Sequence, residues 1–226
     1  MKIAVRGGHC PKITGASALI DELKEDRLIK DVVIKYLNQL GHTVLDVTPP
    51  DSTSSSSADL SYGVNKANNW GADLFISIHF NNAYNSYNGA LGTEVCVYSE
   101  NDVAGRVVSQ LASLGFRNRG QKVRTGLYEL KNTKMKSMII EVCFVEATED
   151  VALYRRLGPD TVGKTIAEAI ANKKVVEAPT QVSNNQGETY YRVVAGSYKD
   201  RENAEERKRQ LEAKGFNGVF LEAIKK

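Results

Sequence analysis

Cysteine is scarce in this chain of 226 residues: only Cys10, Cys96 and Cys143 occur, and none belongs to a Cys-x-x-Cys pair. Three thiols cannot build a framework of paired bridges, so reduced cysteines of a protein made in the cytosol are expected. No apolar run approaches the roughly 18 residues of a membrane span, which excludes an integral membrane segment. A secretory signal is also lacking. The opening Met1-Lys2-Ile3-Ala4-Val5-Arg6 meets a charge where a signal needs about 7–15 apolar residues in a row. Charge of one sign is scarce too: the net charge is +3, and glycine motifs for phosphate are absent. A nucleic-acid partner is therefore not expected.

What is there is a globular balance, 42% hydrophobic and 25% charged residues, which excludes wholesale disorder. The small basic surplus sits in residues 190–226, with 9 Lys+Arg against 6 Asp+Glu, on an otherwise neutral body. Body and tail are expected to do different jobs.

Short β-branched runs alternate with longer helical patterns. Ile3–Val5, Thr43–Val47, Leu74–Ile78, Thr93–Val97 and Met138–Val142 read as strands. Ile29, Val32, Val33, Tyr36, Leu37 and Leu40 recur at helical spacing and stop at Gly41, and helical patterns also fit 60–70, 102–114 and 160–172. Strands separated by helices predict an α/β domain with a twisted, mostly parallel sheet and flanking helices. Residues 173–189 have linker composition. Beyond them, Tyr191–Ala195, Arg201–Lys214 and Val219–Leu221 predict a small β–α–β module, with Asp200 as N-cap.

The chain holds three histidines. His9 follows the first strand across Gly7-Gly8, and His79 ends the apolar strand Leu74–Ile78. Both fall at carboxyl ends of strands, where open α/β sheets place ligands. His42, after a helix-ending glycine, reads as a surface residue at the helix C-terminus. Two histidines and a glutamate are one standard donor set for catalytic zinc. Glu22, Glu25 and Asp26 all precede Ile29 at helical intervals, and periodicity alone does not choose among them; each also fits a solvated acid in a first helical turn. Glu141 interrupts Met138-Ile139-Ile140-Glu-Val142-Cys143-Phe144-Val145, a run that otherwise reads as a doubly buried strand. A carboxylate there must be paired, protonated, near a metal or at the strand's mouth. It suits a general acid/base, with a structural salt bridge as the competing account.

Gly8-His9, Ile76-Ser77-Ile78-His79-Phe80-Asn81, Asn118-Arg119-Gly120-Gln121-Lys122 and Ile140-Glu141-Val142-Cys143-Phe144-Val145 together resemble the N-acetylmuramoyl-L-alanine amidase 3 family, phage endolysins in particular. The resemblance spans about 1–172. It implies one Zn2+ per chain held by His9, Glu22 and His79, with Glu141 as the catalytic acid/base. Glu25 is the fallback for the helical ligand, and Asn81 and Arg119 are taken as substrate-binding. Cys10 receives no role, because a fourth protein ligand would occlude the water position. Tyr190–Asp200, with Asn203-Ala204 and Ala213-Lys214-Gly215-Phe216, resembles half of a SPOR domain, a family that binds peptidoglycan glycan strands.

The expectation is thus a zinc amidase over 1–172, a linker over 173–189 and a wall-binding half-module over 190–226. Its partner is peptidoglycan, and it cuts between N-acetylmuramic acid and L-alanine. The lack of a signal favours a phage or prophage endolysin of a Gram-positive host, held in the cytoplasm until released to the wall at lysis. The alternatives are a zinc peptidase acting within the stem peptide and a non-catalytic peptidoglycan-binding protein. A half-module of about 38 residues rarely builds a stable core alone, so a homodimer through the tail is expected, with packing of the half-module on its own catalytic domain in a monomer as the alternative.

Overall fold

The computed structural model describes residues 1–176, 195–216 and 219–221. The chain divides into two compact units, Met1–Glu177 and Ala178–Lys226.

The first unit is a six-stranded sheet: β1 Lys2–Gly7, β2 Thr43–Asp46, β3 Leu74–Asn81, β4 Thr93–Val97, β5 Asn118–Val123 and β6 Lys136–Phe144, in the order β2-β1-β3-β6-β4-β5. β2, β1, β3 and β6 run parallel, and β4 pairs antiparallel to β6 with β5 parallel to β4. Central β3 and β6 are apolar on both faces because helices cover both. On one face, α1 (Glu22–Gln39), α3 (Asp102–Ser113) and α5 (Thr148–Ala171) bury Ile3, Val5, Ile76, Ile78, Met138 and Ile140. On the other, α2 (Ser56–Trp70) and the short α4 (Tyr128–Asn132) lie over Ala4, Phe75 and Ile139.

Local signals explain the starts and stops. Asp21 caps α1 by accepting from the Lys24 N–H at 3.1 Å, and Ser55 caps α2 by accepting from the Ala58 N–H at 3.3 Å. His42 is partly buried, and its N–H donates to the Leu37 carbonyl at 3.0 Å beyond α1. Two elements had no sequence forecast. β5, Asn-Arg-Gly-Gln-Lys-Val, is an edge strand with no apolar alternation, and α4 is barely more than one turn. α5 starts at Thr148, well before the helical pattern at 160. Gly158, with φ 74°, breaks it and Pro159 restarts it, so the sequence pattern found only the second half. The three cysteines are buried and unbridged.

In the second unit, α6 (Arg201–Ala213) follows Asp200, whose side chain makes no capping bond. Of the strand expected at Tyr191–Ala195, residues 191–194 lie outside the described residues, as does most of the 173–189 linker. Val219–Leu221 has no strand assignment. Among the described residues no helix is long and apolar enough to cross a membrane.

Candidate metal centre

Chain direction places the site. β1, β3 and β6 end at the same edge of the sheet, and α1 begins there, so Glu22 at its first turn faces the last residues of two strands. His9 Nε2 and His79 Nδ1 each lie 3.1 Å from Glu22 Oε1. One donor atom from each of the three residues falls within 4.8 Å of the other two. Ligands of a tetrahedral zinc with bonds of about 2.0–2.1 Å are separated by about 3.3 Å, so the three residues suit that ion.

The tautomers suit it as well. His9 Nδ1 donates to the Ile13 carbonyl at 3.1 Å, leaving Nε2 with its lone pair toward the cluster. His79 Nε2 sits 3.0 Å from Ser77 Oγ and 3.9 Å from Glu129 Oε2, which leaves Nδ1 for the metal. Glu22 is held from two sides: the Phe80 N–H donates to Oε1 at 3.0 Å and the Ala16 N–H to Oε2 at 2.7 Å. Burial opposes its charge, but the adjoining His79 and His9 rings outweigh that and keep the carboxyl well below the usual range. Burial also opposes charge on His79, yet Glu129, Glu22 and Glu141 around it raise its pKa well above the ordinary value. So many carboxylates around two imidazoles form a cation-attracting pocket.

Long-range contacts separate the three acids at the start of the helix. Glu22 meets the histidines. Glu25 instead accepts from the Tyr154 hydroxyl on α5 at 2.7 Å. Asp26 accepts from the His9 N–H at 3.1 Å, and burial pushes its carboxyl up to about 8. Arg27 donates to the His9 carbonyl at 2.6 Å, so α1 fixes the backbone of one histidine and faces its ring with Glu22.

Glu141 stands beside His79 in the β3–β6 register and opposite Glu94 in the β6–β4 register, with Oε2 buried and unpartnered. Burial raises its carboxyl to about 7; His79 pulls it down, while Glu22, Glu94 and Glu129 push it up. It is a free carboxyl next to the cluster, not part of it. The two residues expected to bind substrate share one partner. Asn81 donates to Glu94 Oε1 at 3.2 Å and Arg119 Nε to Glu94 Oε2 at 2.7 Å, with the Arg119 guanidinium over the Phe144 ring. Cys10 is buried, its thiol directed at the Thr53 carbonyl 3.6 Å away.

Sequence reasoning missed the support beneath the cluster. Arg6, fully buried at the end of β1, pairs with Asp59 of α2 at 2.6 Å and Glu129 of α4 at 3.1 Å. It also donates to the Gly8 carbonyl at 2.7 Å. Two glycines make room. A Cβ on Gly8 would overlap the His79 ring, and one on Gly15, which has φ 72°, would overlap Glu22 and His9. An arginine inside an apolar strand was the available signal for the first; the glycines gave none.

A mostly parallel sheet flanked by helices, with two histidines and a glutamate converging at its edge and a carboxyl beside them, makes this an α/β fold with a donor set that could hold a metal ion. A family model described as N-acetylmuramoyl-L-alanine amidase matches residues 3–172, and the chain belongs to that family. A SPOR domain model matches 165–222. The chain is 49% identical over 182 residues to an uncharacterised protein of Clostridium perfringens, covering 78% of this chain and 53% of that one. It is 29% identical over 230 residues to the N-acetylmuramoyl-L-alanine amidase CwlM of Bacillus licheniformis, covering 98% and 85%. The catalytic domain of the CD27L endolysin targeting Clostridia difficile superposes with a TM-score of 0.70 at 28% identity, covering 78% of this chain and 99% of that one. The chain spans about half the length of the two C. perfringens relatives it matches.

Proposed function

We propose that the chain is a zinc-dependent N-acetylmuramoyl-L-alanine amidase, hydrolysing the amide between the lactyl group of N-acetylmuramic acid and L-alanine. The observation that carries this is the convergence of His9, Glu22 and His79 beside the unattached Glu141. Zinc held by the three would supply Lewis acidity toward the amide carbonyl and a water nucleophile at neutral pH. Glu141 takes the proton of the attacking water and passes it to the alanine nitrogen as the C–N bond breaks, releasing a lactyl carboxylate and a free amine. Asn81 and Arg119, joined through Glu94, form the rim against which the substrate lies. The proposed role is that of an endolysin acting on a Gram-positive wall and held in the cytoplasm until lysis; of this, the name endolysin is shared by a 25% identical relative in Bacillus phage SPP1.

Mass spectrometry of digested walls tests the reading. Stem peptides with a new N-terminal alanine are expected, and chelation should abolish their release. Cleavage inside the stem peptide would make the chain a peptidase, and release that survives chelation would overturn the zinc role.

The tail supports a dimer. Among the described residues α6 has no buried side chain, and Tyr198, Phe216 and Leu221 are exposed, which is compatible with half a module that needs a second copy. Two chains paired through 190–226 would hold two active sites near one wall site. Light scattering of the full chain should give twice its 24.9 kDa mass. A monomer at micromolar concentration would end that part of the proposal.

A further inference from the structure

The β3–β4 connection, residues 82–92, leaves the sheet at the edge that carries His79 and Glu141. It passes to β4 across the end of β6, because β6 lies between β3 and β4. This loop bears an exposed aromatic ring. Tyr84 is 55% exposed and stacks on Tyr87, with ring centroids 5.6 Å apart and planes 24° from parallel. Tyr87 packs against the cluster of Leu91, Phe144 and Ala147, so the outer ring rests on a fixed inner one.

The ring is held in place as well as exposed. Glu146, buried just past β6, accepts from the Ala83 N–H at 2.8 Å and the Tyr84 N–H at 3.0 Å. Asn82 donates to the Tyr84 carbonyl at 3.0 Å. Farther along, the Tyr87 N–H donates to the Glu146 carbonyl at 3.2 Å, and the Thr148 N–H to the Tyr87 carbonyl at 3.0 Å. Two backbone N–H donors to one buried carboxylate thus hold the stretch of chain that carries the exposed ring.

The surroundings select the ligand chemistry. No charged residue occurs between Phe80 and Thr93, and Asn82, Asn85 and Asn88 present exposed amides. A flat ring among neutral amides suits a pyranose, whose C–H face packs on the aromatic ring while hydroxyl and acetamido groups bond to amides. It suits a charged peptide poorly. Tyr84 lies five residues from His79, so the chain allows at most about 18 Å between their backbones. That is within a short run of sugars from the scissile bond.

We infer that Tyr84, backed by Tyr87, is a stacking platform for a neutral N-acetylated sugar of the glycan strand, next to the muramoyl residue being cut. The inference rests on the amidase reading for its substrate. It makes the catalytic domain sense the polymer through its own surface, separately from the tail.

Two measurements on the full chain test it. Addition of the N-acetylglucosamine tetramer should shift the backbone amide signals of residues 82–88, an effect lost in Tyr84→Ala and kept in Tyr84→Phe. In hydrolysis, Tyr84→Ala should raise the ratio of KM on polymeric peptidoglycan to KM on a single-sugar muramoyl peptide by about three- to tenfold. Absent shifts in the unmodified chain, or an unchanged KM ratio, would overturn the platform. Shifts of the same amides by free stem peptide, without response to the tetramer, would overturn it in favour of a peptide subsite. Tetramer shifts in a protein that releases no stem peptides would uphold the platform and sink the amidase reading instead.

Discussion

Glu141→Gln is expected to yield a folded protein that still binds one zinc and hydrolyses the wall about 10²–10⁴ times more slowly. The separation of effects follows from geometry. The three donors are on β1–α1, α1 and β3, and each is fixed by contacts that do not involve Glu141. His9 is set by Ile13, Asp26 and Arg27, Glu22 by the Phe80 and Ala16 N–H groups, and His79 by Ser77. The amide replacement keeps the shape of the side chain but cannot take a proton. Folding should not suffer. Burial pushes the Glu141 carboxyl up to about 7, so the charged form gains nothing from folding, and its Oε2 has no partner to lose. Zinc content by atomic absorption, thermal melting and the rate of stem-peptide release are the three readings. Loss of zinc from the variant would make Glu141 a ligand and overturn the division of roles.

The ease with which Glu141 is found in the sequence, against the difficulty of finding Glu22, shows where pattern reading stops. Glu141 stands out because a buried strand has few polar positions, and a lone carboxylate in one is conspicuous. At the start of α1 the opposite holds. Glu22, Glu25 and Asp26 all lie on the inward side by period, all are acidic, and all suit the positive end of the helix. Their different fates come from partners far away in the chain: Phe80 for Glu22, Tyr154 for Glu25, and the backbone of His9 for Asp26. The sheet divides the same way. β1, β3 and β6 are mainly apolar and buried because both faces are covered, whereas β5 has only β4 beside it and is mainly polar. Glu129 escaped notice because its helix is too short to have a period. Arg6 escaped for a different reason. The argument that singled out Glu141 applies equally to a cation in β1, but Arg6 follows an apolar run of only three residues, Ile3–Val5, too short for a charge to stand out.

Arg6→Met should destabilise the fold by about 3–5 kcal/mol at neutral pH, the cost of leaving buried carboxylates without their counter-charge. Methionine keeps the apolar stem, so the loss is mainly that of the guanidinium. Asp59 and Glu129, both buried, lose their ion pairs at 2.6 and 3.1 Å, and the Gly7, Gly8 and Asp59 carbonyls lose a donor. The pH dependence carries a sign. Burial would raise Glu129, but the Arg6 charge, with help from His79, holds its carboxyl below the ordinary value in the folded chain. A group with a depressed folded pKa contributes stability above its unfolded pKa, and that stability is lost as pH falls through the folded one. Arg6→Met forfeits this contribution, so the gap between the two proteins should be widest near neutrality and narrow as the buried carboxylates protonate. Adding Glu129→Gln to Arg6→Met should recover part of the stability, because the unpaired charge is then gone. Zinc affinity should behave differently. Glu129 faces His79 Nε2 and Arg6 steadies the Gly8 carbonyl, so both the single and the double variant should bind zinc about 10–100 times more weakly. Urea titrations across pH, with zinc affinity measured by chelator competition, read the two quantities separately. Stability that changes by less than about 1 kcal/mol would mean that water already shields the carboxylates. Recovered stability accompanied by recovered zinc affinity would mean that the buried pairs support the fold alone and do not position His79.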